Sequence, residues 1–192
     1  MRDAKIGRVV AASLHQAIAD VVPTRLDFYE SWLDSAKIRQ RGVGRAPLTA
    51  VCSFLRRENA HYDEIVARAG GYAADWSVAS LPAACRSLVR ASPRFLKPRV
   101  ISWVIVRTLR QLYSATAVRI RHRRGTADVE LRESLFCDVR GRWPEPLCGF
   151  YAALIRRSFE SFGVEAVVRI VACRSGGAEC CRLSVEIGAR HA

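Results

Sequence analysis

Apolar residues recur every three to four positions from the start of the chain. Ile6, Val10, Leu14, Ala17, Ile18 and Val21 make one stripe, which predicts a helix from about Asp3 to Val22. Pro23 stops it. Thr24 is expected to cap a second helix, with Asp27 completing a capping box and Leu26, Tyr29, Leu33 and Ala36 facing inward. Gly42 and Gly44 break the chain, and Pro47 suits the first turn of a third helix that buries Leu48, Val51, Cys52 and Leu55. A fourth helix is expected from about His61 to Ala69, ending at Gly70-Gly71, where positive φ angles are easily reached. Pro82, Pro93 and Pro98 predict short helical pieces and bends. A long apolar helix follows, from about Arg99 to Tyr113, with Ile101, Val104, Ile105, Thr108, Leu109 and Leu112 along one side. Trp103 and Val106 widen its apolar surface, which predicts burial on more than one side, in a core or at a dimer interface.

From Ala115 the period changes from 3.6 to 2. A two-residue turn at Arg124-Gly125 pairs Arg123 with Thr126, Ile120 with Val129 and Val118 with Leu131. The other face then sets Arg121 against Asp128 and Arg119 against Glu130, so apolar pairs on one side and opposite charges on the other support one register. Pro144 and Pro146 introduce another helix, to Phe162, closed by Gly163. A second hairpin turns at residues 175–178. Its register sets Ala166 against Ile187, Val168 against Val185, Ile170 against Leu183 and Ala172 against Cys181. The order predicts an α+β fold. N-terminal helices pack on a four-stranded antiparallel sheet made of two hairpins that flank a helix. A single domain is expected over 1–192, mainly helical over 1–113 and hairpin-helix-hairpin over 114–188. At 192 residues the chain can bury a core without a disulfide or metal to hold it.

Charge changes the picture. The net charge is +13, and of 31 basic residues only Lys5, Lys37 and Lys97 are lysines. Between Asp75 and Asp128 there is no acidic residue, yet eleven basic ones, among them Arg119, Arg121 and Arg123. Such a stripe attracts anions, whether an acidic protein or an anionic membrane surface; the bland reading is a solvated face in an arginine-rich chain. Nucleic acid is disfavoured, because no recognised DNA- or RNA-binding motif accompanies the charge. No window is apolar enough to span a membrane. Residues 1–22 do not read as a signal peptide, and the seven cysteines are an odd number, so a reducing, cytoplasmic protein is expected.

Candidate chemistry is thin. There is no GxSxG, no GxGxxG and no phosphate loop, and Asp63 and Glu64 are consecutive on a helix and point apart, which argues against an enzyme. His122 sits at a strand end among arginines and reads as structural. Cys148, at a helix start, and Cys173 with Cys180 or Cys181, in the second hairpin, offer most of a tetrahedral zinc site. The predicted register sets Cys173 opposite Cys180 and turns Cys181 to the other face, so a site using Cys173 and Cys181 requires a bulge. Otherwise these thiols pack as small apolar groups.

The segments Trp143–Ala152 and Val171–Val185, with Cys148, Cys173, Gly176 and Cys181 in place, resemble the 4-vinyl reductase domain family, which is similar in fold to the core subunits of the TRAPP vesicle-tethering complex. Phe54–Glu58 and the stretch from Ala67 to Trp76 resemble the helical half of bacterial members linked to bacteriochlorophyll synthesis. The resemblance implies a dimeric, non-catalytic binding or sensor protein with an apolar pocket for a hydrophobic, aromatic or tetrapyrrole-like molecule. Trp103, Arg107 and Tyr113 are the expected pocket wall. Two other readings stay open: a scaffold that docks an acidic partner or membrane through the 86–124 stripe, and an enzyme or carrier of tetrapyrrole metabolism. The family's zinc pattern places its fourth, acidic ligand at the position of Ile170, which cannot ligate. Zinc through Cys148, Cys173 and Cys181 is therefore expected at less than full occupancy.

Overall fold

The computed structural model describes residues 6–33, 44–58, 61–138 and 142–188. The predicted helix start at Asp3, the inward Ala36 and the breaker Gly42 lie outside these residues. Helix α1 (Arg8–Val21) buries Val10, Leu14, Ala17 and Ile18, as its stripe predicts. The chain then tightens into a 3-10 turn over Pro23–Arg25 before the short α2 (Leu26–Glu30). Thr24 lies within that turn and caps nothing, because the chain stays helical straight through it. Helix α3 (Arg45–Leu55) buries Leu48, Val51, Cys52 and Leu55.

Helix α4 spans Tyr62–Ala79 and does not stop at Gly70-Gly71. The reason is packing. A Cβ on Gly70 would lie 2.2 Å from the carbonyl oxygen of Phe150 and 3.0 Å from the Ala153 methyl. Gly70 is the point where α4 lies directly on the backbone of α7 (Gly149–Glu160), and a glycine there serves approach rather than termination. Helix α5 (Ala83–Ala91) and helix α6 (Lys97–Leu112) follow the prolines as expected. The inward side of α6 carries Ile101, Val104, Ile105, Thr108 and Leu109, but Trp103 is 56% exposed. Within the chain the apolar arc of α6 is one-sided and Trp103 stands outside it, so its burial on a second side inside the core is corrected.

Strand β1 (Val118–Arg123) pairs with β2 (Thr126–Leu131) in the predicted register, from Val118–Leu131 to Arg123–Thr126. Strands β3 (Ala166–Ala172) and β4 (Cys181–Ile187) form the second hairpin, and the sheet order is β1-β2-β4-β3, all antiparallel. The inner face carries Leu131, Val129, Leu183, Val185 and Cys181, which join one buried cluster running from Ile6 to Val185. The outer face carries Arg119, Arg121, Asp128, Glu130, Arg182 and Arg169. The second hairpin keeps its predicted register from Ala166–Ile187 to Ile170–Leu183. A bulge then intervenes, and Ala172 faces Arg182 rather than Cys181. Val171 is turned out to 62% exposure. The architecture is α+β with a four-stranded antiparallel sheet, two hairpins and an intervening helix. No helix among the described residues is long and apolar enough to cross a membrane.

Candidate metal centre

The bulge decides the chemistry of this end of the sheet. In an unbroken ladder Cys173 shares a face with Arg169 and points outward, because side chains alternate along a strand. One extra residue between Ile170 and Ala172 inverts the alternation and brings Cys173 to the inner face, where Cys181 already points. Cys148 arrives from the N-cap position of α7. A fourth thiol, Cys137, comes from the loop after β2, and the four sulfur atoms all lie within 4.8 Å of one another. The closest pairs are Cys148–Cys173 at 3.1 Å, Cys137–Cys148 and Cys137–Cys173 at 3.3 Å, and Cys137–Cys181 at 3.6 Å. These separations exceed a disulfide bond of about 2.05 Å and approach the edge of about 3.8 Å for a zinc-sulfur tetrahedron with bonds of about 2.3 Å.

Sequence reasoning missed Cys137. Its segment has neither helical nor strand period, and no second cysteine or histidine sits near it to signal a ligand pair. Cys180, the substitute considered from sequence, is half-exposed and outside the cluster. Ile170 is not needed as a ligand position, since the loop supplies the fourth donor.

The cluster is enclosed. Cys148 and Cys181 are fully buried, Cys137 and Cys173 nearly so. Polar groups hold the sulfurs: the Ser175 hydroxyl donates to Cys173 Sγ at 3.0 Å, and the Arg174 amide to Cys181 Sγ at 3.4 Å. Ser175 also accepts the Trp143 amide on its carbonyl at 2.7 Å, fastening the segment before α7 to the hairpin turn. The Leu135 amide donates to the Tyr151 hydroxyl, fixing the loop that carries Cys137. Hydrogen bonds from Cys137 and Cys148 pull the Cys173 thiol down, whereas contact with Cys137 first, then with Cys173, pushes Cys148 up. The four cannot all ionise without a cation among them. Cys52, by contrast, sits alone in the α3 face, and burial pushes its thiol up to about 12.

Beside the cluster, Arg56 is 7% exposed. It donates from Nη2 to the Phe136 carbonyl at 2.8 Å, its Nε has no partner, and it makes no ion pair among the described residues. A buried guanidinium without a carboxylate is costly unless negative charge lies near it.

The other sequence-selected residues do not converge. Trp103 and Arg107 stack on each other at 5.9 Å on the outer side of α6, while Tyr113 is buried just past its C-terminus. None of the three lines a described recess. Arg119, Arg121 and Arg123 lie on the outer face of β1, each with an acid near. Arg119 is opposite Glu130, Arg121 is opposite Asp128, and Arg123 reaches Asp128 at 3.5 Å.

No family model and no curated protein matches the chain. Solved structures do. The chain is similar to an H-NOX protein from S. oneidensis in the Fe(II)NO ligation state, at 14% identity and a TM-score of 0.55, over 95% of this chain and 99% of that one. It is also similar to a variant of the unliganded Fe(II) H-NOX protein from K. algicida, at 11% identity and a TM-score of 0.58, over 96% and 98%. These neighbours overturn the resemblance to the 4-vinyl reductase and TRAPP-like families. That resemblance rested on the spacing of Cys148, Cys173, Gly176 and Cys181 and on the stretches Phe54–Glu58 and Ala67–Trp76; here the three cysteines serve the thiol cluster.

Proposed function

We propose that this chain is a non-catalytic binding module whose sheet is fastened at one end by a zinc ion held by Cys137, Cys148, Cys173 and Cys181. The carrying observation is the gathering of four buried thiols from four separate segments: the loop after β2, the start of α7, the end of β3 and the start of β4. Zinc favours four tetrahedral sulfur ligands, and a site with all four supplied by protein has no position left for a reacting water. Four thiolates around Zn²⁺ leave a net charge of −2, which favours a cation nearby, and buried Arg56 is held next to Cys137 by its bond to the Phe136 carbonyl. The expectation of partial occupancy rested on a missing fourth ligand, and Cys137 removes that premise.

The likeness to H-NOX proteins supports a ligand-binding role for the fold. Those neighbours are described in Fe(II) ligation states, and no described histidine stands in the core where it could give an iron group of the haem kind its axial imidazole. Such iron takes an axial imidazole, thiolate, thioether or phenolate. The inward positions of α6 are Ile101, Ser102, Val104, Ile105, Thr108, Leu109 and Leu112, with no histidine. His15 pairs with Glu30 at 3.2 Å on the outer side of α1, His61 is exposed at the start of α4, and His122 opens to a basic recess at the sheet edge. The gathered thiols form a closed set suited to a bare ion.

Native mass spectrometry of the full chain tests the reading. One zinc per chain is expected in the wild type, and none in Cys137→Ser or Cys173→Ser, with Cys180→Ser unchanged. A folded wild-type chain that takes up no zinc on reconstitution contradicts it.

A further inference from the structure

The end of the sheet away from the cysteines is built differently. There an open recess of about 1000 Å³ lies between the corner joining α5 to α6, the β1–β2 turn, the turn after α7 and the end of β4. Five cations from two separate segments line it: Arg94, Lys97 and Arg99 from the corner, and Arg123 and Arg124 from the turn. Glu165 is the one acid in the lining.

Several arginines elsewhere on this surface pair with a carboxylate. Arg45 reaches Asp138, Arg68 reaches Glu64, Arg157 reaches Asp75, and Arg169 reaches Glu186. In the recess, the side chains of Arg94, Lys97 and Arg124 have no ion-pair or hydrogen-bond partner among the described residues, and only Arg123 reaches an acid, Asp128, at 3.5 Å. Helix α6 begins at Lys97 with no acidic residue in its first turn, so its positive dipole end adds to the same field. Exposed cations gathered in one recess focus a positive field that attracts an anionic ligand. The backbone is fastened at this point, since Ile187 donates to the Gly125 carbonyl and Gly188 to the Glu165 carbonyl, each at 2.9 Å. Gly125, Gly163 and Gly188 all adopt positive φ with open space where a side chain would project, which leaves the rim unobstructed. Beside the cations stand Phe95, 72% exposed, and the apolar groups of Pro98, Val164 and Ile187.

We propose that this recess binds the phosphate group of an anionic amphiphile. Guanidinium forks from Arg94, Arg99 and Arg124 suit phosphate oxygens, Lys97 adds a point charge, and Phe95 covers the apolar remainder of the ligand. A lipid headgroup and a soluble phosphate compound share this chemistry, and the proposal is independent of the metal at the other end.

The test has two arms, both with the zinc-loaded full chain. One titrates inorganic pyrophosphate and follows backbone amides by NMR. The other measures co-sedimentation with phosphatidylcholine vesicles with and without phosphatidic acid. The expected result is perturbation of the Lys97–Arg99 and Arg123–Gly125 amides, or sedimentation that requires phosphatidic acid. Affinity should fall at least about tenfold in the Arg94→Gln/Lys97→Gln/Arg124→Gln variant and hold in Arg110→Gln/Arg119→Gln/Arg121→Gln. Phe95→Ala should weaken the vesicle arm and spare pyrophosphate. Binding of pyrophosphate alone assigns a soluble ligand, and binding of vesicles alone assigns a lipid. Equal losses in the two triple variants, no response in either arm, or binding only to an acidic polypeptide offered as competitor overturns the proposal.

Discussion

The two ends of one four-stranded sheet present opposite problems. At the end where β2 finishes and β4 begins, four thiols are packed together and enclosed, beside a buried arginine with no ion-pair partner among the described residues. At the end where β1 turns into β2, cations crowd an open recess and only one of them reaches an acid. Six or seven residues of strand, about 20 Å, separate them. Burial makes the difference. Enclosed thiols cannot ionise together without a cation, so a bound ion would stabilise the first end. Exposed cations are hydrated and screened, so the second end tolerates its charge and keeps it available to a ligand. Breaking the first end should therefore cost stability, and breaking the second should cost binding.

The largest expected effect is at the cysteines. Cys137→Ser, or removal of zinc by a chelator, should destabilise the chain by about 4 kcal/mol or more, measured by denaturant unfolding. A loss below about 1 kcal/mol would mean the thiols pack as apolar groups only. Next comes a control at neither end. Gly70→Ala sets a methyl against the Phe150 carbonyl and should cost about 3 kcal/mol, with zinc content unchanged. Arg56→Met should cost about 2 kcal/mol in the zinc-loaded chain and clearly less after chelation, because the thiolates whose charge it offsets take up protons once the metal is removed. Equal costs in both states would reduce Arg56 to its hydrogen bond with Phe136. At the other end, Arg94→Gln/Lys97→Gln/Arg124→Gln should change unfolding stability by no more than about 0.5 kcal/mol. A large loss there would erase the contrast between the ends.

The smallest effect is a pH slope. His122, facing the recess, is held below its ordinary value by burial first and by Arg99 second. A histidine depressed in the folded state takes its proton more readily when unfolded. Its contribution is therefore full above about pH 6.5 and is lost as pH falls from there through the folded value. His122→Gln should flatten the change in urea midpoint between about pH 7.5 and about pH 5.5. An unaltered slope would assign the dependence to other groups.

How much of this was legible from sequence differs between the ends. The β1–β2 register was legible in full, because apolar pairs on one face and Arg121–Asp128 with Arg119–Glu130 on the other admit a single alignment. So was the basic character of the 86–124 segment, though not which cations share a recess. The residues first selected, Arg119, Arg121 and Arg123, face acids, whereas Arg94, Lys97 and Arg124 do not. At the cysteine end, Cys148, Cys173 and Cys181 stood out by position, and the need for a bulge followed from strand alternation. Cys137 did not stand out, since an aperiodic loop gives no sign of where it folds back. Gly70 was misread because a helical glycine has two physical uses, ending a helix or admitting a neighbour, and only the neighbour distinguishes them. Trp103 was misread as core because apolar character does not say which side of a helix finds a partner within the chain.

X-ray absorption at the zinc edge of the purified, reconstituted chain reads the ligand set of the ion itself. A single shell of four sulfur atoms at about 2.3 Å with no nitrogen or oxygen neighbour is expected, reduced to three sulfurs and a light atom, or lost altogether, in Cys137→Ser. A shell containing nitrogen or oxygen in the wild-type chain, or one unchanged by Cys137→Ser, would contradict a four-thiolate zinc site.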